Sequence, residues 1–98
     1  MLKEVKKETP LFSFLREQGY SQIREVPNQG VCALSRFAFT TGLLVGCTRT
    51  QYKGRFCYPS FADAKSALAS WDGVNLPPGN WIKYKGEDGE FANPHKQD

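Results

Sequence analysis

Seven side chains combine positive charge with aromatic rings at short spacing: Arg36, Arg49, Tyr52, Lys53, Arg55, Trp81 and Lys83. Cations pair with carboxylates or phosphates, and aromatic faces stack or fill pockets, so this mixture suits holding an acidic macromolecule. Lys85, Phe37, Phe56, Tyr58 and Tyr84 extend the interleaving. The densest part, Tyr52 to Arg55, falls at a predicted turn, where loops commonly carry function. The competing reading is structural: the cations rim a small sheet whose aromatics fill its core. Groups for bond-making are sparse. No carboxylates are spaced as a pair, no glycine loop leads into a helix to cradle a phosphate, and the one histidine, His95, lies in a polar tail. The expectation is a protein that is not an enzyme and needs no metal or cofactor.

Cys32, Cys47 and Cys57 are odd in number and include no CxxC pair, which argues against a complete disulfide framework or a zinc site. All three fall in predicted strands, where a free cysteine behaves as a small apolar side chain.

The elements that must position these residues are legible from caps, breakers and periodicity. Thr9 and Pro10 open a helix over 10–18, with Leu11, Phe12, Phe14 and Leu15 as its apolar stripe and Gly19 as its stop. Residues 20–26 alternate as a strand ended by Pro27. Residues 31–40, 43–51 and 55–58 give further strands, with turns expected at Thr41-Gly42 and Lys53-Gly54. Ser60 caps a helix over 61–71, Asp63 supports its first turn, and Gly73 releases the chain. Pro77 and Pro78 hold an extended loop, and 81–85 forms a final edge strand before the chain trails off. The order is α-β-β-β-β-α-β. It predicts an α+β fold, a single small domain over 1–98, with an antiparallel sheet of four to five strands and two helices on one face. Segments 1–8 and 92–98 are expected to be flexible. With two-residue turns, Phe37 and Phe39 share a face with Leu44, while Phe56 and Tyr58 share one with Leu43 and Val45. A slip of one residue in either turn reverses the outcome.

The chain has 98 residues, thirteen basic and ten acidic, for a net charge of +3. Between residues 36 and 85 the only acids are Asp63 and Asp72, so the middle of the sheet is expected to present a positive face. There is no run approaching the ~20 apolar residues of a membrane span. The charged start MLKEVKKETP lacks the apolar core of a secretion signal, so the expected location is the cytoplasm, without membrane association.

Two resemblances can be drawn. Lys53-Gly54 with its following aromatics, then Asp63-Ala64-Lys65-Ser66-Ala67-Leu68 and Asp72-Gly73, resembles part of an RNA-recognition motif. Only seven residues separate Gly46 from Gly54, however, where that fold needs a helix and a strand. The likeness is convergent. The second covers about 31–94: RFAFTTGLLVG, GRFCY, ADAKSALASWDG, PPGNWIKYKG and GEFANP are similar to a family of small phage and prophage accessory proteins without an assigned activity. That resemblance implies a bacterial host cytoplasm and no catalytic residues. The expected function is to bind, and inhibit by occupying, a host or phage macromolecule, with a protein the favoured partner. The alternatives are a single-stranded nucleic-acid binder using the same face and a self-associating structural protein, such as a homodimer.

Overall fold

The structure, a computed structural model, describes residues 9–94. Helix α1 (Pro10–Glu17) starts where Thr9 Oγ1 accepts the Phe12 N–H at 3.1 Å and Pro10 fills the first turn. Six strands follow: β1 (Ser21–Val26), β2 (Gly30–Arg36), β3 (Thr41–Val45), β4 (Gly54–Tyr58), β5 (Lys83–Gly86) and β6 (Gly89–Ala92), with α2 (Phe61–Ser70) between β4 and β5. They form one antiparallel α+β sheet in the order β1-β2-β3-β4-β5-β6.

The strand count is therefore six rather than four to five. The additional strand is β6, whose GEFA sequence carries little apolar pattern and exists through its ladder with β5. Consequently β5 is an interior strand, and the expected edge lies one strand further on. Of the tail expected to be flexible, Ala92 closes β6 and Asn93 is buried, its side-chain amide donating to Trp81 O at 3.0 Å. The rest of that expectation, at 1–8 and 95–98, lies outside the described residues.

The helices do not share a face. Ala33 and Leu44 point to Leu15 and Cys47 on the α1 side, whereas their strand neighbours Leu34 and Leu43 point to Ala64, Ala67, Leu68 and Trp71 on the α2 side. Neighbouring strand residues alternate between faces, so the sheet runs between the helices. The central strands needed covering twice: every residue of β3, TGLLV, is buried, and such continuous apolar runs mark strands enclosed on both sides.

On the α2 side, Phe56 sits edge-on to Trp71 and Trp81, with ring centroids 5.9 and 4.8 Å away. The polar ends of these aromatics fasten the proline loop: Trp71 Nε1 donates to Asn75 O, Trp81 Nε1 to Pro77 O and Tyr58 Oη to Pro78 O. Ser60 Oγ accepts the Asp63 N–H to start α2. Arg24, reaching from β1, donates through Nη1 to Leu68 O and Trp71 O and closes its far end.

Both expected turns move. Arg36 pairs with Thr41, and the β2–β3 tip is closed by the Phe37 N–H donating to Thr40 O at 2.8 Å. Thr41 and Gly42 lie inside β3. Gly54 lies inside β4, opposite Val45 and Gly86, so the β3–β4 connection is the whole of 46–53. Phe56 pairs with Leu43 and joins the core.

Candidate macromolecule-binding face

Helix α1 packs along β1 and covers only the first half of its side of the sheet. Register then places Arg55 beside Leu44 and Lys85, Lys83 beside Cys57 and Ala92, and Glu90 beside Lys85 on the second half. Lys83, Lys85, Glu90 and Ala92 are exposed there.

Arg55 anchors this half. Its Nη1 donates to Tyr52 Oη at 3.1 Å, and its Cζ lies 4.7 Å from the centre of the Phe37 ring. Hydrogen bonds to Tyr52 and Cys57 raise its already high pKa, so it is a fixed cation. Its Nε is buried without a hydrogen-bond partner. Phe37 can reach this position because residue 42 is glycine: a Cβ there would stand 2.6 Å from Phe37 Cε2.

Tyr52 also walls a cleft of about 280 Å³ between α1 and the 46–53 connection, lined by Phe14, Gln18, Tyr20, Arg49 and Gln51 among others. Thr48 knits this connection. Its N–H and Oγ1 both donate to Gln51 O, at 2.7 and 3.0 Å, while its Oγ1 accepts the N–H groups of Thr50 and Gln51. The Arg49 guanidinium lies 5.0 Å from the Phe14 ring centre. Burial, then the neighbouring Cys47 and Tyr52, pushes the Tyr20 phenol up, so it stays a neutral donor. Cleft and sheet form one band, running from Phe14 and Arg49 through Tyr52 and Arg55 to Lys83 and Lys85.

Of the residues singled out in the sequence, Arg49, Tyr52, Arg55 and Lys83 lie on this band. Arg36 is on the opposite side, its guanidinium 4.3 Å from the Phe61 ring centre. Lys53 lines a separate hollow with Gln29, Tyr84 and Asp88. Trp81 is a core residue, 1% exposed. A surface role for Trp81 is corrected for a physical reason: the residue precedes β5, and its indole turns inward to Phe56 and Pro77. Phe14 was visible in the sequence only as part of a helical stripe, because its pairing with Arg49 depends on the path of the 46–53 connection.

Burial pushes the Cys32 thiol up to about 11 and the Cys47 thiol up to about 12, which keeps both protonated and poorly nucleophilic. Among the described residues, no group of three or more His, Cys, Asp or Glu side chains is placed to hold a metal ion, and no helix is long and apolar enough to cross a membrane.

Comparison with known protein families, characterised proteins and solved structures gives no match. The chemistry of the band itself must therefore carry the functional reading.

Proposed function

We propose that this protein is a small non-enzymatic binding protein of the phage or prophage accessory kind. It acts in a bacterial host cytoplasm and inhibits an acidic protein by covering part of its surface. The observation that carries the reading is the mounting of Arg55 between Tyr52 and Phe37 on the half of the sheet that α1 leaves open. An arginine already held by a hydroxyl and a ring loses little side-chain freedom on meeting a carboxylate, and its planar fork suits bidentate pairing. Lys85 extends the charge, Lys83 ends the row in an ion pair with Glu90 at 3.0 Å, and the adjacent cleft can take one apolar or aromatic side chain of the partner.

The test is capture from host lysate on immobilised protein, comparing wild type with Arg49→Glu/Lys83→Glu/Lys85→Glu. All three positions are exposed, and the ion pair lost, Lys83 with Glu90 at 3.0 Å, lies at the surface, so the variant should melt close to wild type and lose a discrete set of acidic proteins. Identical capture by both proteins rejects the reading.

Single-stranded nucleic acid is the second reading. It is favoured by Arg49, Arg55, Lys83 and Lys85 following one another along the band with Glu90 as the acid beside them. Weighing against it, Phe14 and Phe37 each have a ring face covered by a guanidinium, which removes stacking surface for bases. Fluorescence anisotropy against random DNA and RNA across a salt series distinguishes the two. Nucleic-acid binding would weaken steeply with salt, and no binding at low salt removes this reading.

A further inference from the structure

The two edges of the sheet are built differently. β1 is irregular: its register with β2 shifts between Ser21 and Arg24, Gln22 has a φ of 54°, and α1 packs against the strand. A bulged, covered edge resists pairing with another chain. Among the described residues, β6 has none of these guards. Its register with β5 is unbroken, it contains no proline, and all its residues are exposed. Beyond its end the Asn93 N–H donates to Ile82 O at 3.2 Å. By the alternation of antiparallel ladders, Phe91 therefore directs its backbone to β5, while Glu90 and Ala92 direct theirs outward. Phe91 is 43% exposed, although its ring stacks on Tyr84 at 5.0 Å and meets Trp81 edge-on at 6.0 Å.

We propose that β6 pairs antiparallel with β6 of a second copy about a two-fold axis at Phe91, joining the sheets edge to edge. In this register Glu90 and Ala92 of opposite copies exchange backbone hydrogen bonds. The two Phe91 residues face each other as a non-hydrogen-bonded pair, the arrangement in which cross-strand side chains approach most closely. Chemistry favours this centre: an axis at Glu90 would crowd two carboxylates, each already paired with its own Lys83, an axis at Ala92 would set Glu90 against Pro94, which has no N–H, and an axis at Phe91 sets Glu90 against Ala92. An identical strand also brings its own Phe91, so the exposed ring is covered by symmetry alone. Pro94, with no N–H to offer, limits the seam on its C-terminal side. Lys83 and Lys85 of both copies then lie on one continuous face.

Sedimentation equilibrium from about 1 µM to about 1 mM, a range covering weak association, should show a monomer–dimer transition. Ala92→Pro removes an outward N–H from each copy, two backbone bonds of the seam, and should weaken dimerisation by about 100-fold at roughly ten-fold per bond, with unchanged circular dichroism. As an independent readout, Phe91→Cys should form an intermolecular disulfide on air oxidation, because facing non-hydrogen-bonded residues lie about 4.5 Å apart at Cα, within disulfide range. It should do so much faster than Val74→Cys, which is exposed on a loop away from the seam. A wild type that stays monomeric overturns the proposal. So does a dimer that Ala92→Pro leaves intact, or a Phe91→Cys variant that cross-links no faster than Val74→Cys. Should Ala92→Pro fail to fold, the comparison of the two cysteine variants decides.

Discussion

Gly42 and Arg55 show how single residues make the candidate site. Neither Gly42 nor Gly54 has a positive φ. What matters at both is the missing Cβ, since Phe37 lies over Gly42 and the Tyr84 hydroxyl occupies the space above Gly54. Gly42→Ala should displace the flexible end of the Phe37 ring and cost Arg55 its platform, a cation–π contact of ~0.5–1 kcal/mol. Partner capture should fall while the melting temperature changes little. If the ring carries no function, capture will equal wild type. Trp81→Ala provides the contrast. Removing a buried indole that packs on Phe56 and bonds Pro77 should cost ~3–5 kcal/mol in urea unfolding. A cost below ~1 kcal/mol would place the ring outside the core.

At the scale of elements, what the sequence makes legible is what local chemistry decides. Both helices start at caps visible in the chain, Thr9-Pro10 and Ser60, and both run close to their expected lengths. Strand ends and turns were less legible because pairing is non-local. Thr41-Gly42 and Lys53-Gly54 have the composition of turns, yet Thr41, Gly42 and Gly54 lie within strands, where close approach rather than a left-handed bend uses the glycines. The band was half legible for the same reason. Arg49, Tyr52 and Arg55 are close in sequence and stay close in space, but Phe14 and Phe37 join them only through the fold. The attachment of α2 is equally non-local. Arg24 donates to Leu68 O and Trp71 O, and Gln29 Nε2 donates to Gly73 O at 2.9 Å. Arg24→Met keeps the side-chain stem but removes the charged donor, and should destabilise the protein by ~1.5–3 kcal/mol in urea unfolding. An unchanged midpoint would mean that water satisfies the helix end equally well.

For the whole molecule, buried acidic hydrogens set the response to alkali. Cys32 is pushed up to about 11 and Cys47 to about 12 from an ordinary 9.0, by burial. Tyr84 rises to about 12 from 10.0, by burial and then by its hydrogen bond to Asp88. Folded values above unfolded ones mean that this contribution is complete below pH 9, where both states hold the protons. It is lost as pH rises from 9.0 through 12, where the unfolded chain releases them first. The urea midpoint should therefore be flat in this respect from neutrality to pH 9 and fall beyond it. A midpoint that holds to pH 11 would show that these groups ionise freely in the fold.

The unbroken order of the six strands has a consequence for synthesis on the ribosome. Each strand, once made, pairs with the one that emerged just before it, so the growing chain need not wait for a distant partner. β3 can gather β2 and β4 as soon as residue 58 has emerged, and the α1 side of the core, built from residues up to 52, is then complete. Only the α2 side must wait, because Trp81 and Tyr84 are made last. A nascent chain halted just after residue 58 leaves the ribosome should already protect β2 to β4 from protease, while its Leu34, Leu43 and Phe56 remain bare and depend on the helix that follows.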